Sequence, residues 1–411
     1  MRGNDFLDKM ELIDPAYVEA ADGKTQSRKY SRVKWGTIAA CLCLATIGTL
    51  TLRQQNNSRQ EVPLQQSIPQ QSISQQDTPQ SVPQDSDFTN ADATTIPELN
   101  YGGMGFEGYM CHDISELHNS NPWTENMNIS TLPVYQNNSY DPTGAGVPKG
   151  LSREKMLELL SVAASALHLE VLSTEIIADG MMTKDGESVP DPTPTRVHAE
   201  TDNGTINIYA DGEIEYYLPG EGLELPKGYS FTRSDTTDEE AERVLSYLMD
   251  VYNELLAFTE PRAVTSGDYN IYDHFNRLYK VYDASGDDLE DILNYHFCYA
   301  NFYPGDNGNL YLIRIYNSLL TAEKLGDYPV ITVEEATNRL LAGNYQTSVP
   351  EAFPGKEYIG KVELMYRTGP LTEVLLPYYR FYVLLPDTTN STFADYGLKD
   401  YGAYYVPAIA D

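Results

Sequence analysis

Gly103-Met104-Gly105-Phe106-Glu107-Gly108 has the G-x-G-x-x-G spacing of a dinucleotide-binding turn. That turn works only where a strand delivers the glycines and a helix N-terminus receives the pyrophosphate. Here a Gln/Ser/Pro-rich stretch precedes it and no helical pattern follows, so the spacing is read as incidental. The six histidines are His112, His118, His168, His198, His274 and His296. None forms H-E-x-x-H and none lies beside a cysteine pair, so they read as surface or satisfied core residues rather than metal ligands. The densest acidic run, residues 283 to 291, carries Asp283, Asp287, Asp288, Glu290 and Asp291. An EF-hand loop needs glycine sixth and a bidentate Glu twelfth; here Gly286 is fourth and Asn294 twelfth. A solvated turn between strands is expected, with a calcium site of another geometry as the alternative. There is no G-x-S-x-G elbow and no P-loop. No catalytic, cofactor-binding or metal-binding residue is therefore assigned, no cofactor is expected, and the chain reads as a non-enzyme.

Tyrosine is abundant, 32 of 411 residues, and concentrates late: Tyr269, Tyr272, Tyr279 and Tyr282, then Tyr378, Tyr379 and Tyr382, then Tyr401, Tyr404 and Tyr405. Most are expected to pack as cross-strand pairs on half-buried sheets; the alternative is an aromatic platform for a glycan or peptide. Against 28 Lys+Arg stand 60 Asp+Glu, a formal charge of −32. That excludes a phosphate-binding nucleic-acid face and contact along anionic lipid, and reads as a solubilising surface. Cys41 and Cys43 sit in an apolar run. Cys111 and Cys298 are the other two, and the spacing leaves a disulfide between them open.

The elements that would position these residues begin with a membrane signal. Residues 35 to 52, from Trp35 to Leu52, carry no charge and as a helix would span roughly 27 Å. Lys24, Arg28, Lys29, Arg32 and Lys34 precede them, so the N-terminus is expected in the cytoplasm and the rest outside. A cleaved signal peptide fits less well, because the charged region is not at the extreme N-terminus and no A-x-A-like site ends the run. An acylation site at Cys41 also fits less well, because few apolar residues precede it. Before the anchor, Phe6, Leu7, Met10 and Ile13 fall at helical spacing, a candidate contact for a cytoplasmic partner. After it, residues 53 to 100 repeat Gln-Gln-Ser-Ile-Pro-like units that cannot bury a core. They read as a disordered tether reaching about 35–40 Å.

Beyond residue 101 a helix-then-strands pattern recurs. Residues 151–169 form the first helix, with strands at 171–178, 196–201, 205–210 and 213–218; Asp202-Asn203-Gly204 marks a hairpin. Residues 238–258 form the second helix, with strands at 268–272, 277–283, 295–303 and 309–316. Thr332 caps a third helix over 333–341, followed by strands at 361–367, 375–385 and 403–408. The expected class is α+β, helices packed on antiparallel β-sheets. The expected domains are a cytoplasmic tail 1–34, a transmembrane helix 35–52, a linker 53–100 and two exported α+β domains, 101–235 and 236–411.

Three groups of residues carry a resemblance. The run from Phe6 to Ala21 (FLDKMELIDPAYVEAA), a basic stretch and one apolar helix resemble anti-sigma-like membrane proteins of Clostridia. Phe106-Glu107-Gly108-Tyr109-Met110, Pro122-Trp123-Thr124-Glu125-Asn126 and Thr131-Leu132-Pro133-Val134-Tyr135 resemble the start of their exported part. Ile331-Thr332-Val333-Glu334-Glu335-Ala336, Val362-Glu363-Leu364-Met365-Tyr366, Leu376-Pro377-Tyr378-Tyr379-Arg380-Phe381 and Ala403-Tyr404-Tyr405-Val406 resemble the PepSY-like repeat of YycI-type regulators, over about eighty residues. The resemblance implies a non-catalytic regulator of Gram-positive type, with a sigma factor or histidine kinase as partner and a protein or cell-wall ligand.

The expected function is a non-catalytic, membrane-anchored extracytoplasmic regulator or sensor; the alternative is a surface binding or adhesion module without signalling. The expected location is the cell membrane, single-pass, with the C-terminal part extracellular. In the C-terminal round, Phe381 is expected to face the core and Arg380 to face away from it.

Overall fold

The computed structural model describes residues 107–410, except 118, 185–186 and 387–394. Phe6, Leu7, Met10, Ile13, the apolar run 35–52 and the linker 53–100 lie outside the described residues.

The Asp202-Asn203-Gly204 signal makes a hairpin. Gly204 has φ +106°, and a Cβ there would meet the Tyr217 carbonyl oxygen at 2.3 Å, so only glycine fits. It joins β6 (Arg196–Thr201) to β7 (Gly204–Tyr209), paired through Val197↔Ile208 and Ala199↔Ile206. On one side β6 pairs with β3 (Val171–Ile177); on the other β7 pairs with β8 (Ile214–Tyr217). β8 then takes β12 (Leu310–Asn317), followed by β11 (Cys298–Pro304), β10 (Phe275–Asp283) and β9 (Pro261–Tyr269). A four-residue strand, β1 (Gly108–Cys111), links β9 to β18 (Lys399–Pro407), and β17 (Pro377–Leu384) and β15 (Ile359–Tyr366) complete the row. With β14 (Gln346–Thr347) on β18, this is one 13-stranded antiparallel sheet. β2 (Thr131–Asn137) forms a three-stranded sheet with β13 (Ala322–Pro329) and β16 (Val374–Leu375), and β4 (Met181–Lys184) pairs with β5 (Glu187–Pro190).

Strand alternation sorts side chains to two faces. Val197, Ala199, Ile206, Ile208, Ile313, Ala300, Phe302, Tyr279 and Val281 form one buried cluster with Met156, Leu160 and Ala164 of α1 (Arg153–Ala166) and Ala241, Val244, Leu245 and Leu248 of α2 (Asp238–Val251). α1 starts where Ser152 accepts from the Lys155 amide; α2 starts with a Thr237/Glu240 capping box. The helix expected over 238–258 breaks at Tyr252, and its last turn is α3 (Asn253–Leu256), ended by Ala257 at φ 53°. A second cluster holds Phe381, Val383, Tyr379, Leu364, Tyr404 and Val406 against Ile292 and Phe297 of α4 (Asp288–Phe297) and Ala336 and Leu340 of α5 (Val333–Leu341). Phe381 is fully buried there, worth roughly 1.5–3 kcal/mol of transfer free energy.

The expected class is corrected by this architecture. Strand takes 39% of the structure and helix 22%, and the molecule is mostly antiparallel β-sheet. Among the described residues it is not a series of separate α+β PepSY-like repeats. The strands after each helix do not close small separate sheets, because their edges pair with one another, β8 with β12 and β18 with β9 through β1. Each such pairing satisfies backbone groups that an edge would leave bare. The expected single-pass membrane location is likewise corrected: among the described residues no helix is long and apolar enough to cross a membrane. The longest, α1 and α2, have 14 residues each, about 21 Å.

Candidate ligand-binding face

On the sheet face opposite α1 and α2, alternate residues of the same strands are polar. The register sets Glu175, His198, Asn207, Glu215, Arg314, Asn301 and Lys280 side by side across seven strands, β3 to β10. Beside this row runs a second, Tyr282, Tyr299 and Tyr316. On the other flank runs a third: Tyr303, Leu312, Tyr217 and Thr205.

The charges of the central row are tied together. Arg314 hydrogen-bonds Glu215 and lies 3.1 Å from Glu213. Burial disfavours its charge, but Glu213, Tyr316 and Glu215 raise its pKa beyond the ordinary arginine value. Glu215 also accepts from the Tyr209 hydroxyl at 2.7 Å and from Asn207 at 3.4 Å. His198 contacts Asn207 at 2.9 Å and Glu200 at 3.1 Å. Glu215, Arg314 and Asn207 are buried, yet Tyr217, Tyr299, Tyr303 and Tyr316 are only half-buried. The guanidinium of Arg314 lies 5.6 Å from the Tyr303 ring centroid and donates to the Tyr316 hydroxyl at 3.3 Å. Tyr299 and Tyr316 stack, centroids 4.6 Å apart and planes 26° apart. The buried charges thus hold tyrosine side chains in fixed positions, each residue half-buried. Such rings bind an apolar or sugar surface at low entropic cost, because their rotamers are already fixed.

Lys280 ends the row. Its Nζ donates to the Tyr295 carbonyl at the C-terminus of α4 at 2.5 Å, and lies 3.6 Å and 3.8 Å from the Tyr295 and Tyr299 ring centroids. Burial pushes its pKa down to about 7. The adjoining His296 is buried and held well below the usual histidine range by that burial and by Lys280 and Arg380.

A second polar cluster lies at the other end of the sheet. Arg380 donates to Glu363 on β15 and to the Tyr109 hydroxyl on β1, the latter at 2.7 Å, and faces Glu107 at 3.5 Å. Arg367 reaches Glu107 at 2.7 Å and Tyr405 donates to it at 2.6 Å. Burial would raise the Glu107 carboxyl, but the two arginines and the Tyr109 and Tyr405 hydroxyls bring it down to about 2. Arg380 does face away from the helix side, as alternation requires, but into this buried network rather than into solvent. The network is closed on itself and serves as structure.

The sequence-derived candidates fall as follows. Of the dinucleotide-like run, Glu107 and Gly108 are described, and Glu107 belongs to the ion network. The acidic run is more than a plain turn. Asp287 caps α4 by accepting from the Leu289 and Glu290 amides, and Asp283 accepts from Thr259 and Glu260. The strand expected at 295–303 is therefore helix up to Phe297. Among the described residues no group of three or more His, Cys, Asp and Glu is placed to hold a metal ion. Cys111 and Cys298 are free thiols. The late tyrosines Tyr279, Tyr282, Tyr378, Tyr379, Tyr382, Tyr401, Tyr404 and Tyr405 are buried core residues. The platform rings Tyr217, Tyr299, Tyr303 and Tyr316 were missed. Their signal was strict alternation, Tyr299-Ala300-Asn301-Phe302-Tyr303 and Ile313-Arg314-Ile315-Tyr316. No protein-family model matches the chain, and no curated protein matches it.

Proposed function

We propose that the protein is a non-catalytic regulator or sensor that binds a glycan or peptide on this tyrosine-roofed face. The observation that carries the reading is the seven-strand polar row beneath half-buried rings, on the face that α1 and α2 leave uncovered. The row's acids and bases are bonded mainly to one another, which suits a scaffold for rings better than an acid–base pair reaching for substrate. Solubilised cell-wall glycan is the probe, titrated calorimetrically into the full chain. Tyr299→Ala and Tyr316→Ala should each weaken binding roughly fivefold, about 1 kcal/mol for one ring face. Tyr272→Ala, an exposed ring outside the rows, should leave it unchanged. Equal affinity in all three variants would remove the face from consideration.

A further inference from the structure

β3 ends the 13-stranded sheet, and its outer edge has no strand partner among the described residues. The opposite end is different: at β15 the Asn121 side chain donates to the Leu364 carbonyl at 2.7 Å, and Asn119 reaches Glu363. Sheets usually protect an edge with lysine, proline or a cover, because bare N–H and C=O groups recruit another strand. β3 reads Val171-Leu172-Ser173-Thr174-Glu175-Ile176-Ile177, with neither lysine nor proline. Its one irregularity lies between Val171 and Ser173. Residues 171 to 175 are exposed, Leu172 at 62%.

The order of residues in β3 is self-complementary. Paired antiparallel with an identical strand about a two-fold axis at Thr174, Leu172 comes opposite Ile176, while the bulge between Val171 and Ser173 takes Val171 out of line with Ile177. Ser173 meets Glu175, and Thr174 meets its own copy. Apolar side chains meet apolar ones, and the single charge, Glu175, never faces itself. That self-match favours an isologous contact over a foreign strand. We propose that β3 is a dimerisation edge, joining the sheets of two copies strand to strand through Thr174. Directly opposed residues share a face, so both tyrosine platforms lie on the same side of the joined sheet, an arrangement that favours a multivalent ligand. The dimer itself does not depend on the ligand reading. The net charge of −32 opposes it, so association should strengthen as salt screens the repulsion.

Sedimentation velocity of the full chain tests this at low and high NaCl, on wild type, Thr174→Lys and Thr174→Glu. Wild type should be a dimer whose Kd falls with salt. Each variant alone should dissociate at least about tenfold more readily, because like charges then meet on the axis. An equimolar mixture of the two should recover the dimer, which also shows that both variants are folded. A wild type that stays monomeric at every salt concentration overturns the proposal. So do variants that dimerise like wild type, or a mixture that fails to recover.

Discussion

Arg380→Met offers the sharpest test of how the sheet is held. The substitution keeps much of the aliphatic stem and removes the guanidinium. Arg380 is nearly buried, 14% exposed at the side chain, and Glu363 is 4% exposed. Without the guanidinium, Glu363 keeps the Tyr382 and Asn119 donors, and its one remaining cation is Lys361 at 3.8 Å, beyond hydrogen-bond reach. Glu107 keeps Arg367 at 2.7 Å and is better placed to tolerate the loss. Removing one partner of a buried pair costs about 3–5 kcal/mol, because the other charge stays uncompensated. The expectation is therefore about 3–5 kcal/mol, similar to the cost of Phe381→Ala, which empties a fully buried site. Alternation alone would have put the loss on truncating Arg380 well under 1 kcal/mol. Urea denaturation gives the midpoint shift, provided the slope is unchanged. Glu363→Leu added to Arg380→Met should recover about half the loss or more, since no charge is then left behind at that position. A single-variant loss below about 1 kcal/mol would refute the argument, because the network would then be wet and its charges solvated.

Two further measurements follow from the same structure. Glu107 falls from 4.5 to about 2 in the fold, so its stabilisation is present above about pH 4.5 and is lost as pH falls towards 2. Asp400 behaves oppositely: burial first, then Asp268 and Glu351, push it from 3.8 up to about 7. The native state holds its proton more tightly, so the stability it contributes is full below pH 3.8 and declines as pH rises through 7. Urea midpoints from pH 2 to 8 should show a smaller acid limb in Glu107→Gln and a smaller decline towards neutral pH in Asp400→Asn. Asp287→Ala should cost about 1 kcal/mol through the lost α4 cap. Millimolar calcium should not move the melting temperature with or without it, and a calcium-dependent rise in wild type alone would revive a metal site.

Much of the local structure was legible in the residues. The Asp202-Asn203-Gly204 hairpin, the Thr332 cap and the helix after residue 151 act over a few positions, and each appears where its chemistry places it. The class was not legible, because it depends on which edges meet. Nothing local to Ile214 or Ile315 says that β8 and β12 pair. Helix α4 was missed because Tyr295 to Tyr303 has strand-like composition, while the Asp287 cap that begins the helix reads equally as a turn. The candidate face was half legible. Alternation in β10, β11 and β12 gives each strand's polar residues, but their alignment into one row is set by register across seven strands.

The central place of β18 has a consequence for the order of assembly. β1, near residue 110, pairs along all four of its residues with β18, near residue 400, and with β9 only through Met110 and Tyr269. A chain made from its N-terminus exposes β1 first, yet its main partner arrives some 290 residues later. Until then β17 has only β15 beside it. Apart from the pairing of β8 with β12, each half of the sheet can form early from sequence neighbours, which is fast. Their union waits for the most distant pairing in the molecule, which is slow. β18 is the strand that turns two half-sheets into one.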